Sequence, residues 1–177
     1  MKPYTSIKGF LGFVLIISLT VGPVTACSGP TYRTDLSSAA VMEDILDELD
    51  AEAEYRAVGG NFISASSFGE SYADFLALLA DHCIVVATDA DNNINEMGIF
   101  RVRDAINITA AETVVREYVA AQQLRLPDYL SMYNPAEIPK VENAAVKSCG
   151  NYIFYTFLND TDTRKVQAAF RDALTDN

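Results

Sequence analysis

The chain has 177 residues, half of them hydrophobic, with 24 acidic against 13 basic side chains and a formal net charge of −11. That length suits one domain with a substantial core and hardly allows two. So acidic a chain repels nucleic acid and anionic headgroups, which counts against DNA, RNA or peripheral lipid surfaces as partners.

Residues 1–26 have the three parts of an export signal. Lys2 and Lys8 supply positive charge, residues 10–21 an apolar core, and Val24, Thr25 and Ala26 small residues before Cys27. The apolar run over 9–22 is about 14 residues, or roughly 21 Å as a helix, short against about 30 Å of bilayer hydrocarbon. Pro23 breaks it ahead of the cleavage region. Val-Thr-Ala-Cys matches the bacterial lipobox, and an ordinary signal peptidase cutting after Ala26 would sever the same bond. A thiol directly after the small-residue triplet is what diacylglyceryl transfer needs, so Cys27 is the expected lipidation residue. Its two or three acyl chains suffice for stable anchoring. The expectation is a lipoprotein tethered to the outer face of the cell membrane. Processing would leave 11 basic and 24 acidic residues, a net charge of about −13.

Residues 28–35 read as a polar tether and 36–177 as a single domain. Met42, Ile45, Leu46, Leu49 and Ala53 recur at helical spacing and predict a first helix over 36–55, with its acidic side solvated. Gly59 and Gly60 end it, 61–71 is a Ser- and Gly-rich loop, and a short helix follows over 72–80. Two apolar segments, 83–89 and 97–103, flank Asp91-Asn92-Asn93 and predict a β-hairpin. Thr109 and Glu112 have the spacing of a capping box, which predicts a helix to 124 with Ala111, Val114, Val115, Tyr118 and Val119 toward the sheet. Pro127, Pro135 and Pro139 punctuate a connection that carries the aromatic stretch 129–133. A second hairpin over 144–148 and 152–158 turns at Gly150-Asn151. Asp160 or Asp162 caps a last helix, whose Val166, Ala169, Phe170, Ala173 and Leu174 form a core-facing stripe.

The predicted fold is α+β: a two-layer, four-stranded antiparallel sheet of two hairpins with helices packed on it, in the order helix, hairpin, helix, hairpin, helix. The last strand is apolar on both sides, so either helices cover both faces or one face meets a partner.

Asp89, Asp91 and Asn93 place side-chain oxygens at alternate positions, as calcium loops do. The full pattern fails, because a register starting at Asp89 puts Ile94 where the glycine belongs and Phe100 where the bidentate glutamate belongs. A polar hairpin turn is the plainer reading, and no metal is expected. His82 is the one histidine. Its neighbour Cys83 should point to the opposite face of a strand, and none of Ser64, Ser66, Ser67 or Ser71 lies in a nucleophile elbow. With Cys27 acylated, Cys83 and Cys149 are either a disulfide pair in an oxidising compartment or two buried thiols. One histidine and two scattered cysteines make no zinc site, and nothing selects a carboxylate pair for glycoside hydrolysis. No catalytic residue and no cofactor are indicated.

Several stretches carry a resemblance: Asn95-Glu-Met-Gly-Ile-Phe-Arg-Val-Arg-Asp104, the helix with Arg116 and Tyr118, Asp128-Tyr129, and Val146-Lys-Ser-Cys-Gly-Asn-Tyr-Ile-Phe-Tyr155 with the closing helix. Over residues 80–174 the chain resembles a family of small lipoproteins, mainly of Gram-positive, Clostridia-like bacteria, known as domain of unknown function number four-three-five-eight. The resemblance implies a location and a fold, and no activity. The functional expectation is a non-catalytic, membrane-tethered binding or accessory domain for a protein or small solute; the alternative is an uncharacterised extracytoplasmic enzyme.

Overall fold

The computed structural model describes residues 31–51, 54–58, 72–89 and 93–175. The export signal with Cys27, the 61–71 loop and Asp91 lie outside the described residues. Helix α1, Ser38–Leu49, begins where the Ser37 side chain accepts the Ala40 amide N–H, and it buries Val41, Met42 and Ile45. It stops short of residue 55 because Asp50 takes a left-handed φ of 52°, which turns the chain out of the helix. Strand β1, Tyr55–Ala57, follows and pairs with β2, Leu79–Ala87. The sheet therefore has five strands where two hairpins predict four. A three-residue strand is too short to show alternation, and its residues read equally well as the end of the preceding helix.

The remaining elements are α2, Tyr72–Leu78; β3, Glu96–Val102; α3, Ile108–Tyr133; α4, Ile138–Glu142; β4, Ala145–Cys149; β5, Tyr152–Phe157; and α5, Asp160–Leu174. All strand pairings are antiparallel, in the order β1-β2-β3-β5-β4. The hairpins β2–β3 and β4–β5 join through β3 and β5, which leaves β4 on an edge. In the β4–β5 turn Gly150 has φ +57°, a conformation that glycine adopts without a Cβ clash.

Helices lie on both faces, so the fold has three layers rather than two. On one face Phe100, Val102, Ile153, Tyr155 and Phe157 pack against Phe75 of α2, Val115, Tyr118 and Leu130 of α3, and Val141 of α4. On the other, Met97, Ile99, Tyr152 and Phe154 pack against Val41 and Ile45 of α1 and Val166, Phe170 and Leu174 of α5. All six residues of β5 are buried. The two-sided apolar pattern of that strand thus reflects intramolecular cover.

Besides the end of α1, three further helix boundaries differ from expectation. Asp104, and not Thr109, supplies the cap before α3: its side chain accepts the Ile106 amide at 3.1 Å in the 3₁₀ turn Ala105–Asn107. Thr113 donates to the Thr109 carbonyl, and Glu112 pairs with Arg116, so the capping-box partners are otherwise engaged. Helix α3 continues through Pro127 to Tyr133 because the buried stripe Ala111, Val115, Tyr118, Gln122 is extended by Leu126 and Leu130. At the start of α5 the cap is Asn159, whose side chain accepts the amides of Thr161 and Asp162 at 3.0 Å. Asp160 and Asp162 occupy the first turn, where negative charge suits the helix dipole.

Candidate functional site

Strand β3 opens on Glu96, a carboxylate at the start of an apolar strand. Its neighbours in register are Val86 on β2 and Phe157 on β5. Glu96 Oε1 accepts hydrogen bonds from the Tyr118 hydroxyl at 2.7 Å and the Tyr155 hydroxyl at 2.5 Å. Burial pushes the Glu96 carboxyl above the ordinary carboxylate range, an effect that the two tyrosine bonds and the Arg125 charge only partly offset. Burial and the adjacent carboxylate together push both tyrosine hydroxyls upward. At neutral pH these phenols are donors and stay protonated.

Gly98 makes this geometry available. It stands opposite Tyr155 in the ladder, and a Cβ there would overlap the tyrosine ring. The ring therefore lies across the β3 backbone and reaches back to Glu96. Tyr155 also packs edge-on against Tyr118, with centroids 5.4 Å apart, and stacks with Phe100 at 5.9 Å. The carboxylate is thus held by rigid aromatic neighbours.

Glu96 and Tyr118 line a cavity of about 330 Å³ between the end of the sheet and α3. Its apolar walls are Val86, Ile94, Leu126 and Phe157; its polar lining adds Arg56, Asn93, Asn95, Gln122 and Arg125. Gln122 is buried and its Oε1 accepts from Arg125 at 2.6 Å, which orients the amide and the guanidinium together. One wall is braced by Lys140, whose Nζ donates to Asn95 Oδ1 and Glu137 Oε2, each at 2.8 Å, and to Asn93 Oδ1 at 3.3 Å. Glu137 in turn accepts the Ile94 amide at 3.0 Å, and Asn95 donates to the Tyr55 hydroxyl at 3.1 Å. Burial raises that hydroxyl to about 12.

The cavity is lined by the half-buried Glu96 carboxyl, two guanidinium groups and the amides of Asn93, Asn95 and Gln122. Among the described lining residues Glu96 is the sole carboxylate.

The residues singled out from sequence fall elsewhere. Asp89 is exposed in the turn after β2, and Asn93 Oδ1 already faces the Lys140 ammonium, so that oxygen is taken by a cation of the chain itself. No group of three or more potential metal ligands occurs among the described residues. His82 is half-buried, stacks on Phe100 at 6.3 Å, and burial lowers its pKa; Cys83 faces the opposite core, as strand alternation requires. Cys83 and Cys149 are free thiols. They stand on β2 and β4 with β3 and β5 between, at least about 14 Å apart at roughly 4.8 Å per strand, beyond the roughly 7 Å limit for a bridge. The aromatic stretch is part of α3, where Tyr129 and Tyr133 are exposed and their rings lie 4.7 Å apart.

Gln122 and Arg125 are site residues that sequence reasoning passed over, and Glu96 entered it within the Asn95–Asp104 stretch, without a role at a site. Two signals were present: an acid heading an apolar strand, and a glutamine in register with the buried stripe of α3. Among the described residues no helix is long and apolar enough to cross a membrane. Compared with known proteins, the chain matches no family model, no curated protein and no solved structure.

Proposed function

We propose that this chain is an extracytoplasmic lipoprotein, held to the cell membrane by lipid on Cys27, whose folded part is a non-catalytic binding domain for a small polar solute. The resemblance to the small bacterial lipoproteins of unknown function belongs to the same proposal, as does the lack of a nucleic-acid partner. The observation that carries the binding reading is the Glu96 carboxyl. It is half-buried at a cavity, and both tyrosine bonds fall on Oε1. Oε2 is left to a ligand donor, an amine or a hydroxyl, while Arg56 and Arg125 suit an acceptor on the same molecule. A cavity of about 330 Å³ is at the small end of the ligand-pocket range, which points to a metabolite-sized solute.

An enzyme is the second reading, favoured by the same raised carboxyl, which resembles a general acid waiting for a substrate. The two readings separate in one experiment. A panel of amines, polyols, amino acids and sugars is tested for a rise in the thermal midpoint of the full-length protein, and each hit is followed for chemical turnover. Binding without turnover, lost in Glu96→Gln and Gln122→Leu, supports the first reading; turnover lost in Glu96→Gln supports the second. The anchor has its own test. Labelled fatty acid should enter the wild type and not Cys27→Ser, and equal labelling of the two would refute the lipid assignment.

A further inference from the structure

Helix α5 carries three basic residues, and they divide between its two flanks. Lys165 lines a recess against α1 with Asp44, Glu48 and Asp172 on its walls. Arg164 and Arg171 lie on the other flank, where α5 passes the edge strand β4 and meets Lys147. The groove there has a volume of about 320 Å³ and is also lined by Tyr32, Gln167 and Cys149. No acid is among its lining residues. Arg171 pairs with its exposed neighbour Asp172, whereas Lys147 and Arg164 make no ion pair with any described residue.

That arrangement runs against the charge balance of the molecule. The sequence holds 24 acids to 13 bases, so acidic partners are plentiful. Lys147 and Arg164 have no acidic partner among the described residues and Arg171 has only its exposed neighbour Asp172, so an anion seated among the three would relieve their mutual repulsion. A lysine on an edge strand also guards against strand addition, which accounts for Lys147 alone and not for the two arginines beside it.

We propose that the groove between β4 and α5 is an anion site that takes inorganic phosphate or a small soluble phosphate ester, with phosphate oxygens on Lys147, Arg164 and Arg171. Guanidinium groups match the oxygen spacing of phosphate, and Tyr32 and Gln167 add neutral donors at the groove. The net charge of −11 opposes the approach of an extended polyanion or an anionic surface, so the ligand is small. This site is separate from the Glu96 cavity, which lies on the opposite face of the sheet.

The test is a calorimetric titration of inorganic phosphate into the full-length protein in detergent at constant low ionic strength, with chloride as the control anion. The wild type should bind phosphate saturably. Lys147→Gln with Arg164→Gln should weaken binding at least about tenfold through loss of charge-assisted hydrogen bonds, while Lys165→Gln on the acid-lined flank should leave it unchanged. All three positions are at the surface, and circular dichroism checks that the variants fold. Wild-type protein that shows no saturation, or a double variant that binds as the wild type does, would overturn the proposal. Self-association of the double variant with unaltered phosphate binding would assign Lys147 to edge protection instead.

Discussion

Gly98 lacks a side chain, and the Tyr155 ring occupies the space that one would fill. Gly98→Ala forces that ring off the strand and away from Glu96, and overpacking of this kind costs about 1–3 kcal/mol. Urea unfolding should show the loss as a lower midpoint with an unchanged slope. Glu96 adds a pH dependence whose sign follows from its raised pKa. The folded chain keeps a proton that the unfolded chain releases near pH 4.3. Stability from that proton is fully present below about pH 4 and is lost as pH rises through the folded pKa. Tyr118, Tyr155 and Arg125 are the titratable and charged groups around it. Glu96→Gln keeps an acceptor for both tyrosines and removes the half-buried charge. It should therefore unfold at higher urea than wild type at pH 7, with the difference vanishing near pH 4; a difference independent of pH would contradict this account. The residue types of the site were visible in the sequence, but their convergence was not. Glu96, Tyr118 and Gln122 come from two elements, and only the register of β3 against β5 and the placement of α3 bring them together.

At the scale of elements, patterning that repeats over many residues was legible and local punctuation was not. Both hairpins and the core stripe of α5 follow directly from alternation and helical spacing. Helix α3 shows why boundaries fail: Pro127 signals a break, yet the buried stripe passes through it to Leu130, which is 3% exposed. Packing of that side chain offsets the lost backbone hydrogen bond and the proline crowding. Leu130→Ala should accordingly cost about 2–4 kcal/mol although it lies beyond the proline. A change under about 0.5 kcal/mol, typical of surface positions, would mean that the last turns of α3 contribute little. Strand β1 was missed for the opposite reason, since three residues carry too little pattern to distinguish a strand from a fraying helix.

Across the whole molecule, a polar cluster ties residues 36–38, at the start of α1, to the sheet beside the apolar contacts of that helix. Asp81 on β2 accepts from the Ser38 amide at 3.0 Å and hydroxyl at 2.6 Å at the start of α1, and from Arg101 Nε on β3 at 3.0 Å. Tyr152 donates to the Leu36 carbonyl at 2.6 Å beside it. Burial alone would raise the Asp81 carboxyl, but the Ser38 and Arg101 bonds outweigh it and hold the group below its usual value. The sign is opposite to that of Glu96: this contribution is present above about pH 4 and is lost as pH falls through the lowered folded pKa. Asp81→Asn should destabilise the protein by about 1–3 kcal/mol at pH 7 and flatten the acid limb of its stability curve. An acid limb as steep as that of the wild type would place the pH sensitivity elsewhere.

The Glu96 cavity is the proposed seat of a small polar solute. Amide chemical shifts of the full-length protein in detergent, recorded as the solute that most raises the thermal midpoint is added, test this most directly. Saturable shifts are expected at Asn95, Glu96, Gln122 and Arg125 and should be absent in Glu96→Gln. Shifts that cluster on another surface, or that persist unchanged in Glu96→Gln, would contradict the proposal.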